Sequence, residues 1–267
     1  MDSGEPHVSL SLELGEEIAQ VDLAKMKPLA IDLFCGLGGW TDGLLAEGYD
    51  VVGFDIEKHN YGDGKWYPAQ LVLQDVTTIH GKQFKDAALI VASPPCQEYS
   101  YMAMPWSRAK VIAAEYREGK RDVKKLTTLF DACFRIQREA SEAAGHKIPM
   151  VVENVCGAQK WVGRAKWHYG SYYLWGDVPA LMPITTGALR EGTGFKSTGM
   201  NWSNPELRGQ DFTRVAGRQA LEGIKGVPHS PTGTWRFSSK SNSRKAASAT
   251  IAKIPLPLSQ HIARVYK

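Results

Sequence analysis

Cys96 stands in the stretch Ser93-Pro94-Pro95-Cys96-Gln97-Glu98-Tyr99-Ser100, directly after the apolar run Ala87-Ala88-Leu89-Ile90-Val91. The run reads as a buried strand. Two prolines, neither able to donate to a sheet ladder, must end it. They also hold the following chain extended, so Cys96 leaves the strand on a stiff support. A thiol placed there has two readings. It is a small buried packing group, or it is a nucleophile at the carboxyl end of a strand, where open α/β sheets place their chemistry.

A second pair of groups follows the same logic. Val151-Val152 is β-branched and strand-like, and Glu153 and Asn154 come directly after it, so both emerge on the rim that carries Cys96. A lone carboxylate there is as well explained by a helix cap. Beside a cysteine it has a specific use. C5 of cytosine is a poor nucleophile until a thiolate adds to C6, and an acid at N3 supports the ring as it gains electron density. Cysteine suits the step because its thiolate is strongly nucleophilic and can leave again.

A third constellation lies upstream, where Ala30-Ile31-Asp32-Leu33-Phe34-Cys35 turns through Gly36, Gly38 and Gly39 into a short helical pattern. Glycines there let the backbone approach a ligand, and the helix N-terminus behind them favours an electronegative group. A dinucleotide fingerprint needs a third glycine three residues after Gly38, and Thr41 stands there instead. Adjacent glycines are found in many S-adenosylmethionine sites. Asp55 closes the next strand pattern, at the reach expected of a carboxylate on ribose hydroxyls. Asp75 closes the third, placed to accept from an adenine amino group. Singly, each acid is more often a cap.

In this order, DLFCGLGG, SPPCQEYS and VVENV resemble the sequential signature of DNA cytosine-5 methyltransferases. The similarity runs from Pro28 to about Gly176 and resumes in IPLPLSQHIARV. The compact chain looks like phage-borne or other mobile-element members of that family. The resemblance implies an α/β, Rossmann-like, doubly wound class I S-adenosylmethionine-dependent methyltransferase fold. It implies that Cys96 attacks C6, that Glu153 contacts N3 and the exocyclic amine of a flipped base, and that Asn154 positions the catalytic loop. Phe34, Gly36, Gly38 and Gly39 are implied to line an S-adenosylmethionine site, with Asp55 on the ribose, Ile56 on the adenine and Asp75 at its amino group. Pro94 and Leu129 complete that wall. Gln97 to about Ser107 matches the loop that closes over DNA, with Gln97 at its start and Ser100 as a phosphate contact.

The chain also departs from the family pattern. Where the family carries Gln-x-Arg-x-Arg, this sequence has Trp167, Tyr169 and Ser171. The nearest cations, Arg164, Lys166 and His168, lie toward the N-terminus. Arg164 is the candidate for contact with the substrate base, and Lys166 for contact with DNA. Ile251-Ala252 replace the usual Gly-Asn of the closing motif, and Cys35 takes a place usually held by Ala.

These residues need a scaffold. Five strand patterns, at 28–34, 50–56, 71–76, 86–93 and 148–155, and a long helical pattern at 126–145 give the rhythm of a mostly parallel sheet. Residues 1–27 read as a charged lead segment with a short helix at 12–24. Residues 28–176 and 246–267 form the catalytic domain, and 177–245, rich in Gly, Pro, Ser, Thr and Asn, a small target-recognition module.

The net charge is +4, with 13 Lys+Arg against 5 Asp+Glu from Asp177 onward, which suggests a polyanion partner. Four cysteines lie far apart and form no metal-binding pair, and no metal is expected. No apolar run approaches a membrane span and no signal peptide is apparent, so a cytoplasmic, reduced setting and a monomer are expected. The expected partner is double-stranded DNA, the expected role protection from restriction, and the small module suggests a short or degenerate target. A tRNA cytosine-5 methyltransferase and a non-catalytic DNA-binding relative are the rival readings.

Overall fold

The computed structural model describes residues 27–59, 66–97, 99, 106–170, 172–182, 249 and 252–267. Its seven strands are β1 (Leu29–Leu33), β2 (Asp50–Asp55), β3 (Gln70–Leu73), β4 (Ala87–Ala92), β5 (Met150–Asn154), β6 (Trp167–Tyr169) and β7 (Tyr172–Gly176). They form one sheet in the order β3-β2-β1-β4-β5-β7-β6. The first five are parallel, β7 runs against β5, and β6 runs against β7. The order reverses between β1 and β4, and a ligand crevice opens at such a switch point.

β4 is apolar on both sides because both faces of the sheet are covered. On one face lies α3 (Val123–Ala144), which buries Leu126, Phe130, Cys133, Ile136 and Ala140. On the other lie α1 (Gly39–Ala46) and α5 (Leu256–Val265), through Trp40, Leu44, Leu258 and Ile262. Gly43 makes the second packing close: a Cβ there would collide with Ser259. The C-terminal apolar segment therefore returns to the main domain, on α1.

Register aligns the strand ends. Phe54, Leu33, Ala92, Val152 and Trp175 lie in one lateral row. The next positions up the parallel strands are Asp55, Phe34, Ser93 and Glu153, so the three constellations emerge from a single rim.

Several elements differ from the sequence reading. α3 begins at Val123, not Leu126, because the Asp122 side chain caps the Lys124 N–H at 2.9 Å. A further helix, α2 (Trp106–Arg117), precedes it, and Ala109, Ala113 and Tyr116 form its buried side. A one-turn helix, α4 (Gln159–Val162), follows β5. In YYLWG, Leu174 is the residue fully buried and Tyr173 is half-buried. The lead segment through Met26, its expected helix, and residues 183–245 of the expected recognition module lie outside the described residues. Among the described residues no helix is long and apolar enough to cross a membrane.

Candidate functional site

The turn after β1 is sharply bent. Phe34 (φ 57°) is the one non-glycine with positive φ among the described residues, and Gly36 and Gly38 follow at 51° and 73°. Two backbone bonds hold the turn, Cys35 N–H to Phe54 O at 3.1 Å and Gly38 N–H to Cys35 O at 2.8 Å. The three glycines serve different ends. A Cβ on Gly36 would meet nothing nearer than Phe34 O at 4.0 Å, so this position faces open space. One on Gly38 would press on the Pro68 ring at 2.9 Å, and one on Gly39 would strike the Ile254 backbone. The missing Cβ of Gly39, expected at a cofactor, leaves room for the closing segment of the chain.

Asp55 ties the β1 and β2 ends together. Its Oδ2 accepts from Gly36 N–H at 2.9 Å, its Oδ1 accepts from Glu57 N–H at 3.3 Å, and His59 Nε2 lies 3.3 Å from Oδ2. Burial works against the charged carboxylate, but the bonds from His59 and Gly36 outweigh it and hold the group below the usual carboxylate range. Ile56, 72% exposed, projects beside it. Asp75 is exposed and caps a short 3₁₀ turn, its Oδ1 taking both the N–H and the hydroxyl of Thr77 at 2.8 Å. Leu129 is half-buried on α3, and Pro94 is buried. An open Gly36 beside an ionised Asp55 and an exposed apolar side chain fits a nucleoside with ribose hydroxyls.

Beneath the turn lies a polar cluster that the sequence does not single out. Thr41 Oγ1 donates to Asp32 Oδ2 at 2.7 Å and lies 2.5 Å from the Tyr67 hydroxyl. Asp32 Oδ1 is buried with no hydrogen-bond partner among the described residues. Burial pushes the Asp32 carboxyl up to about 7. Tyr67 lies against Gly53, where any Cβ would strike its ring.

The loop after β4 is fixed from three sides. Ser93 N–H bonds Leu33 O at 3.1 Å, and Trp40 Nε1 donates to Ser93 Oγ at 3.0 Å. Asn154 Nδ2 donates to Pro94 O at 2.9 Å, while Asn154 Oδ1 accepts from Val155 N–H at 2.8 Å. Tyr99 N–H bonds Cys96 O at 3.0 Å, and the buried Tyr99 hydroxyl donates to Leu126 O at 2.6 Å. Between these ties Cys96 is half-buried and Gln97 exposed; Ser100 lies outside the described residues. Glu153 is 6% exposed and level with Leu174 and Trp167. Cys96, Glu153 and Asn154 thus share one rim. The tyrosine tie is the part the sequence reading missed; the signal for it is an aromatic three residues after the cysteine.

The cations are placed differently. Trp167 and Tyr169 pair with Leu174 and Tyr172 in the β6–β7 hairpin, which carries the aromatic positions to the rim. Lys166 N–H bonds Leu174 O at 2.9 Å, and Gly163 O accepts from Trp175 Nε1 at 2.9 Å. Arg164 therefore enters β6 on the amino side of the Glu153 row. It is exposed, and the structure does not bring its backbone to the rim. No group of three His, Cys, Asp or Glu suited to a metal occurs among the described residues.

A parallel sheet in this order, with its reversed strand next to the last and a glycine turn leaving β1, defines the Rossmann-like fold of class I S-adenosylmethionine-dependent methyltransferases. Residues 29–157, just under half of the chain, match the model of the C-5 cytosine-specific DNA methylase family. Solved structures similar to the chain include a prophage-encoded DNA modification methyltransferase of E. coli (21% identity, 49% of this chain and 33% of that one, TM-score 0.31). Dnmt2 of S. pombe is similar at 18% identity over 51% and 37% (TM-score 0.32), and EhMeth of Entamoeba histolytica at 16% over 60% and 56% (TM-score 0.36). The chain thus covers about a third of the first two structures. No curated protein matches it.

Proposed function

We propose that the chain methylates C5 of cytosine in double-stranded DNA through a covalent adduct between Cys96 and C6. The observation that carries this reading is the bond from Asn154 to Pro94 O, which locks the end of β5 to the Pro-Pro-Cys loop. It holds Glu153 and Cys96 at one rim, in the domain that matches the family model.

S-adenosylmethionine, when bound at the Phe34–Gly36 turn with Asp55 on its ribose, supplies the electrophilic methyl group. The remaining chemistry belongs to the chain. The cytosine must leave the stack, because attack on C6 needs the open face of the ring. The Cys96 thiolate then bonds to C6, and the electron pair displaced from the C5–C6 double bond makes C5 nucleophilic. Glu153 holds a proton toward N3 and accepts from the exocyclic amine, stabilising the charge that develops there. After C5 takes the methyl, solvent water takes the C5 proton, and the electron pair of that C–H bond restores the double bond and expels Cys96 as thiolate. Gln97 and Ser100 serve on the loop that closes over DNA, with Lys166 beside it. Arg164 is not assigned to the substrate base, since its backbone lies below the Glu153 row. Methylated sites would resist nucleases that cut only unmodified DNA, which fits protection from restriction.

Bisulfite sequencing of DNA and of tRNA from a host expressing the chain tests this reading. Protected cytosines are expected with the wild-type chain and none with Cys96→Ala, whose duplex binding persists. Full protection by Cys96→Ala would sink the adduct. Protection confined to tRNA would move the substrate to RNA.

A further inference from the structure

From Trp106 to Lys125 the chain carries seven Lys+Arg against three Asp+Glu. Two of these cations are matched locally, with Lys120 Nζ 2.7 Å from Glu118 and Arg121 Nε 2.5 Å from Glu115. Arg108, Arg117, Lys124 and Lys125 are exposed, and no ion pair holds them among the described residues. The fold does not need these side chains. The inward side of α2 is Ala109, Ala113 and Tyr116, and the first turn of α3 is capped by Asp122.

Three relationships fix where the cations stand. α3 returns from the carboxyl rim to the start of β5, so Lys124 and Lys125, in its first turn, lie at rim level. The bond from the Tyr99 hydroxyl to Leu126 O joins that turn to the chain three residues after Cys96. The Tyr116 ring lies 5.3 Å from Trp161, which sets the end of α2, with Arg117, against α4, the short helix that follows the carboxyl end of β5. The basic corner therefore flanks the Cys96 loop on the α3 face of the sheet.

We infer that Arg117, Lys124 and Lys125 form a sequence-independent phosphate-binding edge that holds the backbone of duplex DNA to one side of Cys96. This rests on the proposed action on duplex DNA and adds a contact surface to it. A flexible cation on a solvated helix face reads no base edge, but it neutralises phosphates and releases their counterions. Such an edge sets register and affinity and leaves target choice to other parts of the chain.

The test is the salt dependence of duplex binding by the full chain, with Arg117→Gln, Lys124→Gln and Lys125→Gln combined. Lys85→Gln, an exposed site just before β4 at the opposite end of the sheet, is the control. Each lost phosphate contact lowers the slope of log K against log salt by about 0.9, so the triple variant should lose about 2.7. Over a fourfold rise in salt its affinity then falls about 40-fold less than that of the wild type. The same change is expected on unrelated duplex sequences, with melting temperature and S-adenosylmethionine binding unaltered. A slope change below one, with normal wild-type binding, overturns the edge alone. A change seen with structured RNA but not with duplex DNA also overturns it. Wild-type protein that binds no duplex overturns this inference together with the reading beneath it.

Discussion

Asn154 donates its side-chain amide to the carbonyl of Pro94 at 2.9 Å, across 60 residues of sequence, and both groups are buried. The bond joins two neighbouring strand ends just beyond Ala92 and Val152, the last β4–β5 pair, where Pro94 and Pro95 have no N–H groups to continue the ladder. Asn154→Ala removes it and orphans Pro94 O and Val155 N–H. The expected cost is about 1–3 kcal/mol of stability. Turnover should fall on the order of 100-fold, because a thiol displaced by about 1 Å misses its target. Steady-state kinetics with thermal melts check both, and the KM for S-adenosylmethionine should move little.

Tyr99→Phe isolates the second tie of the same loop. The ring stays buried, and only the hydroxyl that donates to Leu126 O at 2.6 Å is lost. Stability should drop by about 1 kcal/mol in chemical denaturation. Turnover should drop as well, since the loop after Cys96 is no longer anchored to α3. Unchanged kcat would show that the bond serves the fold alone.

The rim was legible in the sequence because its signals are local. A continuous apolar run ended by two prolines places the end of β4, and Val151-Val152 places the end of β5. What decides Gly39 is not local: the segment that fills the space beside it is Ile254, more than 200 residues away. The helix α2 was hidden for a different reason. Its buried side is two alanines and a tyrosine, too little apolar surface to stand out in a stretch, 106–125, that carries seven cations. The height of Arg164 in the sheet depends on strand direction. Spacing alone could not tell that β6 starts level with Glu153 and carries the preceding loop away from the rim.

Asp32 should give the fold a pH dependence of unusual sign for a carboxylate. Its folded pKa is raised from 3.8 to about 7 by burial. Between these values the unfolded chain has released the proton and the folded chain has kept it. The stability from this group is therefore complete below about pH 4 and lost as pH rises through about 7. Asp32→Asn has no such titration. Denaturant midpoints from pH 4 to 8 should converge or cross between the two proteins as pH rises, the wild type losing a few kcal/mol relative to the variant. Parallel curves would mean that Asp32 is ionised in the fold.

Gly43→Ala probes the seam between α1 and α5. Its new Cβ meets Ser259 and the Gln260 backbone, which belong to a packed helix and cannot swing aside. Overpacking of this kind costs about 1–3 kcal/mol. The melting temperature should fall, whereas Gly145→Ala, at a helix end with open space around it, loses only from its left-handed backbone. Equal losses at the two positions would argue against close packing of α5.

Asp55→Ala separates the two substrates. Asp55 bonds Gly36 N–H on one side and faces His59 on the other, so its loss slackens the turn that should meet the nucleoside. S-adenosylmethionine affinity is expected to fall at least tenfold by calorimetry, about 1.4 kcal/mol, with duplex binding nearly unchanged. The wild-type contribution of this carboxylate also has a direction in pH. Its folded pKa is lowered, so the stability it adds is present above pH 3.8 and is lost as pH falls through the folded value. The variant should therefore approach wild-type stability in acid and fall below it at neutral pH, opposite to the behaviour of Asp32→Asn. A variant that binds S-adenosylmethionine normally would remove Asp55 from the nucleoside site.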